Sequence, residues 1–183
     1  MIQQLEQEIR DFINDIIFQY KEKNFSFILK KLKLKAQEYK ELCAALDLLG
    51  DTELAKNEFF EAKIGPDGKG YLYLYGFLNS VYLQEQAIKS IAQIFKLKDR
   101  GDWNEQLNSL ELSNVTRSIL GAHTLSTDGY HMISRNSIEG KLIVTLNSEG
   151  RWSKFDLKDQ CKKYNECVKG YLKAVVAKVK VKY

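Results

Sequence analysis

The chain has 183 residues, of which 44% are hydrophobic and 28% charged, and carries a net charge of +4 at pH 7. That is long enough to bury a core within one domain, and the composition excludes disorder over most of the length. A single proline, Pro66, leaves long helices free to form, because proline removes an amide donor and clashes with the preceding turn.

The opening stretch Met1–Glu8 has neither a basic n-region nor a continuous apolar run, so no secretory signal is expected. From Ile2 to Lys23, apolar residues at Ile2, Leu5, Ile9, Phe12, Ile13, Ile16, Ile17 and Tyr20 step by three and four, the stripe of an amphipathic helix. Asn24-Phe25-Ser26 reads as a break. A second helix is expected from about Ser26 to Leu49, stopped by Gly50, with Asp51 capping a shorter third helix. Gly65-Pro66-Asp67-Gly68 is a turn.

The fourth helix, about Lys69 to Lys96, is the most hydrophobic element. A helix apolar nearly all round is central in a bundle or buried against a partner. Tyr71, Tyr73, Tyr75 and Tyr82 suit an interface, since each joins a large apolar body to one polar tip. The segment around Tyr71–Tyr82 is therefore read as a homodimer contact, or else as a central core helix. A fifth helix is expected from Trp103 or Asn104 to Ala122, with Leu107, Leu110, Val115, Ile119 and Leu120 inward; Asn108-Ser109 and Ser113-Asn114 favour a kink or split.

After His123 the period changes. His131–Ile138, Lys141–Leu146 and Arg151–Phe155 read as the strands of a small antiparallel meander, with turns at Glu139-Gly140 and Asn147–Gly150. Asp156 caps a last helix from Leu157 to about Val176, and the alternating tail Lys178–Tyr183 suggests an edge strand or a frayed end. The fold class is thus mainly α: a bundle of about five to six helices with a small antiparallel β-meander before the last helix. The whole chain forms a single domain, with 1–123 and 156–176 as bundle and 130–155 as insertion.

No apolar run approaches the roughly 20 residues that span a bilayer, so a cytoplasmic protein without a membrane partner is expected. Cys43, Cys161 and Cys167 match no metal motif and are expected to be reduced thiols. Lysine is unevenly placed: seven lysines stand against Glu22 and Glu38 between Tyr20 and Lys40, and eight against Asp159 and Glu166 between Leu157 and Tyr183. Either run suits a phosphate backbone, and equally the solvated face of a helix.

The stretch from Arg117 to His123 is the one evident chemical centre, flanked by the only other histidine, His131, and by Arg135. Six helical positions offset two side chains by about 120°, so the long Arg117 side chain and His123 can converge if the helix loosens at Gly121. Arginine holds a phosphate through two parallel hydrogen bonds, and an imidazole near pKa 6.5 exchanges a proton. Together they suit RNA cleavage by attack of its own 2′-hydroxyl, which needs no metal and no cofactor.

Arg117-Ser118-Ile119-Leu120-Gly121-Ala122-His123 resembles the Arg, four-to-six residues, His motif of HEPN domains, which are helical bundles. In that family a polar residue often follows the arginine; Ser118 meets the preference, although the frequent asparagine is absent. The resemblance implies Arg117 and His123 as catalytic residues of a metal-independent endoribonuclease of toxin or defence type. It further implies an RNA substrate, a homodimer, and an antitoxin or regulatory protein as partner. Ser118, His131, Arg135 and the lysine-rich last helix would then contact substrate. The meander lies outside the family's minimal four-helix bundle.

Other readings stay open. The same bundle can be a non-catalytic, dimeric binding or regulatory module. His123, Asp128 and His131 offer imidazole and carboxylate to a metal, at a spacing that matches no known site. Gly65–Gly70 lacks the Gly-Lys-Ser/Thr ending of a P-loop. Ser118 with His123 lacks the orienting third group of a nucleophile pair. Trp103, Trp152 and the tyrosines can stack bases but more commonly fill cores.

Overall fold

Ile2, Leu5, Ile9 and Ile13 form the buried stripe of helix α1 (Ile2–Gln19) in a computed structural model that describes residues 2–97, 100–114, 116, 132–133, 138, 141–146 and 152–182. The described residues are mainly helical. Asn24 ends the turn after α1 and caps α2 (Phe25–Lys31), its side chain accepting from Phe27 N at 3.0 Å.

The single helix expected over 26–49 is in fact broken at Leu32–Lys35. Leu32 and Leu34 are both buried. On a continuous helix residues two apart diverge by about 200°, so both could not face one core. Lys33 resolves the conflict by adopting a left-handed conformation, φ 48°. That costs a non-glycine residue about 1–2 kcal/mol, comparable to the roughly 1.5–3 kcal/mol from burying one leucine.

The expected stop at Gly50 is also corrected: α3 runs without interruption from Ala36 to Glu61. Its buried stripe, Leu42, Leu46, Leu49, Thr52, Glu53, Lys56 and Phe59, keeps its phase through Gly50. Glycine inside a helix costs about 1 kcal/mol, less than exposing the stripe's second half. Thr52 sits on the stripe with its hydroxyl donating back to Leu48 O at 2.7 Å.

The turn at Gly65–Asp67 leads into α4 (Gly68–Ile94), where Asp67 accepts from Gly70 N at 2.8 Å. A Cβ on Gly70 would collide with the Gly65 carbonyl oxygen, so the close approach of the turn requires glycine there. Helices α3 and α4 form an antiparallel hairpin, with Phe59 stacked on Phe77 at 4.5 Å and Lys56 opposite Gln84. They make the most extensive helix contact.

Helix α5 (Arg100–Ser109) starts before the expected Trp103. It bends at Leu110 before helical residues 111–114; Ser109 Oγ donates to Gln106 O at 2.7 Å and so helps close α5. Three short strands, β1 (Met132–Ile133), β2 (Leu142–Leu146) and β3 (Trp152–Asp156), pair antiparallel in that order, Met132 opposite Leu146 and Leu142 opposite Asp156. Of the first strand expected over 131–138, Met132–Ile133 form a strand and Ile138 does not, while 131 and 134–137 lie outside the described residues. Lys141 ties this segment to the hairpin: its ammonium donates to Phe60 O and lies 5.9 Å from the Phe59 ring centre.

Asp156 caps the last helix, α6 (Leu157–Lys182), by accepting from Lys158 N at 2.8 Å and Asp159 N at 3.0 Å. The tail expected as a strand or frayed end continues this helix. Leu172, Val175, Val176 and Val179 extend its buried stripe, and Lys180 pairs with Glu8 at 3.1 Å. Their packing overrides the weak helix preference of the β-branched valines. Helix α6 packs on α1, α4 and α5, and α1 also packs on α3. No described helix is long and apolar enough to cross a membrane.

The α5–α6 contact is close. Trp103 lies 5.2 Å from the Tyr171 ring, and a Cβ built on Gly170 falls 2.8 Å from Trp103 Cη2. A Gly→Ala change inside a helix normally gains about 1 kcal/mol, whereas overpacking a fixed ring costs about 1–3 kcal/mol. Gly170→Ala is therefore expected to lower the urea unfolding free energy by about 1 kcal/mol. A gain in stability would show that Trp103 yields without cost.

Candidate functional site

The residues that the sequence singles out, Arg117, Ser118, His123, His131 and Arg135, lie outside the described residues, as does Asp128 of the metal alternative. What is described is the approach to them. Residues 111–114 and 116 are helical, with Leu112, Ser113 and Thr116 buried and Glu111 and Asn114 exposed. The carboxylate of Glu111 accepts from Gln160 Nε2 in the first turns of α6, which fastens this segment to the lysine-rich helix. Ser113 Oγ, Thr116 Oγ1 and Asn104 Oδ1 are buried without a hydrogen-bond partner among the described residues. Burying such an atom unpaired costs about 1–3 kcal/mol.

The outer face of α6 carries Lys158, Lys162, Lys163 and Lys173, all exposed. Lys163 pairs with Asp159 at 2.7 Å, and that hydrogen bond holds its pKa above the usual lysine value. Lys169 pairs with Glu166 at 2.7 Å and holds the carboxyl below its usual range. Lys158, Lys162 and Lys173 have no carboxylate partner among the described residues, so positive charge remains on this face.

A second polar cluster, which no sequence motif marks, lies in the core. Lys56, only 2% exposed, sits inside the contact of α3, α4 and α6. Its ammonium donates to Gln84 Oε1 at 2.7 Å, to Asn165 Oδ1 at 2.8 Å and to the Glu53 carboxylate, and it lies 5.2 Å from the Tyr164 ring centre. Gln84 Nε2 donates in turn to Glu53 Oε1 at 2.9 Å and Thr52 Oγ1 at 3.3 Å. An ammonium has three donors, and all three are used. The fully satisfied charge fixes how three helices meet and leaves no hydrogen free for a substrate. A signal was present in the sequence: Lys56 falls seven residues after Leu49 and three before Phe59, on the core phase of α3.

Cys161 lies beside this cluster. Burial raises its thiol pKa, against the pull of the Lys56 charge, and burial likewise raises Cys167. Neither thiol is activated as a nucleophile, and all three cysteines are free. Burial also pushes the Tyr164 hydroxyl well above its usual value; it donates to Val81 O at 3.3 Å.

Of the tyrosines expected at a dimer contact, Tyr71, Tyr73 and Tyr75 are half-buried against the core of the same chain, while Tyr82 is exposed. Leu72, at 73% exposure, is the most open apolar side chain on α4. Among the described residues no group of three or more histidine, cysteine or carboxylate side chains is placed to hold a metal. The chain matches no family model, no curated protein and no solved structure.

The Lys56 cluster makes a direct stability prediction. Removing one partner of a buried pair leaves an uncompensated charge and costs about 3–5 kcal/mol. Lys56→Ala is expected to lose that much in urea unfolding. In a cycle of Lys56→Met and Glu53→Gln, coupling of about 1–3 kcal/mol is expected. Additive effects of the two changes would mean that the pair is energetically independent.

Proposed function

We propose that the protein is a HEPN-like, metal-independent endoribonuclease whose Arg117 and His123 act on the scissile phosphate. The observation that carries the reading is the Arg-x5-His pattern directly following a helical segment with a packed inner face, itself fastened through Glu111 to the lysine-bearing α6. A helical frame of this kind can hold two reacting side chains at a set separation, and the α6 lysines supply charge for neighbouring phosphates.

In the proposed reaction, His123 takes the proton of the 2′-hydroxyl as that oxygen attacks phosphorus. Arg117 pairs with the non-bridging oxygens and offsets their growing charge. The bond to the 5′-oxygen breaks, that oxygen takes up a proton, and a 2′,3′-cyclic phosphate is left. Ser118, His131 and Arg135 hold the substrate on either side. The reaction uses no cofactor. The second copy of a homodimer would pack through the outer face of α4 around Tyr82, where the exposed positions from Leu72 to Gln93 are uncharged.

The test is cleavage of a mixed single-stranded RNA in EDTA. Wild-type protein is expected to generate ends bearing cyclic phosphate. His123→Ala is expected to cut about 10²–10⁴-fold more slowly, the usual loss when an acid–base group is removed, and Arg117→Ala about 10²–10³-fold more slowly, the loss of one donor to the developing charge. No cleavage by wild type, equal cleavage by the variants, or abolition by EDTA would overturn the reading. RNA binding without cleavage would favour a regulatory module.

A further inference from the structure

The lysines between Tyr20 and Lys40 belong to the corner where α1 leads into α2 and α2 into α3. Lys21, Lys23, Lys30, Lys31, Lys33, Lys35 and Lys40 are all exposed. Elsewhere Lys56, Lys89, Lys163, Lys169 and Lys180 are paired with carboxylates. Here no ion pair occupies Lys21, Lys23, Lys30, Lys31, Lys35 or Lys40 among the described residues. The nearby carboxylate of Glu38 is engaged instead with the backbone, accepting from Lys35 N at 2.7 Å.

Aromatic rings are interleaved with these charges. Lys21 Nζ lies 5.0 Å from the ring centre of Phe18, which is 73% exposed. Lys31 Nζ lies 5.1 Å from Tyr20 and 5.6 Å from Phe27. Phe25, 49% exposed, meets Tyr39 edge-on at 5.4 Å, which leaves much of the ring open. Between α1 and α2 runs a groove of about 450 Å³ with Phe12, Ile16 and Tyr20 along it and Lys31, Lys33 and Asp15 among its polar groups. That is a volume suited to a small ligand such as one nucleotide unit.

We propose that this corner binds single-stranded RNA, with Lys31 and Lys33 on phosphates and the rings of Tyr20, Phe18 and Phe25 stacking on bases. The inference rests on RNA being the substrate, but it uses neither Arg117 nor His123. A basic groove with aromatic platforms holds a strand with splayed bases; duplex bases, already stacked, cannot use the rings. An anionic bilayer fits less well. The apolar stripe of α1 is already buried in the core, so Phe18 and Phe25 are isolated apolar groups and not one face of an interfacial helix. Asp15 opposes the phosphate and orients the strand towards the lysine side.

The experiment measures fluorescence anisotropy of a labelled single-stranded RNA 12-mer with the full chain, carrying His123→Ala so that the probe stays intact. Lys31→Glu/Lys33→Glu is expected to weaken binding at least tenfold. The Lys31→Ala/Lys33→Ala pair should reduce the slope of log affinity against log salt by about 1.4, roughly 0.7 per lost contact. Phe18→Ala/Phe25→Ala, at exposed positions, should weaken binding about tenfold with an unchanged circular dichroism spectrum. Unchanged binding by the charge-reversed pair, or no binding by the parent, overturns the proposal. So does loss of binding to phosphatidylserine vesicles by that pair while RNA binding is retained. If the lysine variants lose binding but unaltered protein cuts no RNA, the groove stands and the cleavage reading falls. If cleavage proceeds with unchanged KM in the charge-reversed pair, the groove falls and the cleavage reading stands.

Discussion

The ammonium of Lys56 is the constraint around which three helices are arranged. An unpaired charge in a core costs on the order of several kcal/mol, a large share of a domain's stability, so it is tolerated only where partners replace water. Here the partners come from Glu53 one turn away on α3, Gln84 on α4 and Asn165 on α6. Sliding any of the three by a turn, about 5.4 Å, would strand the charge. The surrounding leucines and phenylalanines supply most of the hydrophobic free energy, but apolar contacts tolerate many registers. The Lys56 cluster selects one.

That register has consequences at both ends of α6. Near its start, Gln160 meets Glu111 and so fastens the segment that precedes Arg117. Near its end, Val175, Val176 and Val179 are buried and Lys180 meets Glu8 on α1. The long helix thereby connects the approach to the proposed phosphate site with the helix that carries Phe18 and leads into the turn at Tyr20. Charge follows the same frame. Lysines accumulate on the outside of α6 and at the α1–α2 corner, whereas the groove between α1 and α3 holds Glu6, Asp47 and Asp51 around Arg10. Surface fields of opposite sign over one small domain steer a polyanion to particular faces even though the net charge is modest.

Single-residue signals were most legible where a local rule acts alone. Asp67 and Asp156 cap helices as short carboxylates do, Asn24 terminates a turn, and the turn between the long helices falls at the only proline. The signals failed where local preference and burial disagree. Gly50 reads as a stop because glycine suits a helix C-cap and Asp51 can cap a new helix, while the core positions beyond it are the polar Thr52, Glu53 and Lys56. Those residues are nonetheless buried, because each has a partner from across the core. The reverse holds at Leu32–Leu34, where local preference favours an uninterrupted helix and burial of the alternating leucines demands a break. Arg117 and His123 were legible only as a pattern of residue types.

The mainly helical character of the chain, the starts of α1 and α4 and the two concentrations of lysine follow from the order of residues alone, since periodicity, capping and composition are properties of neighbouring residues. The passage of α3 through Gly50, the reach of α6 to Lys182 and the interior position of Lys56 are set by long-range packing. Each depends on groups far apart in the chain: Gln84 and Asn165 for Lys56, and the apolar face of α1 for the valines of α6. The free energy that overrides a weak local preference comes from those distant partners, which no window of neighbouring residues contains.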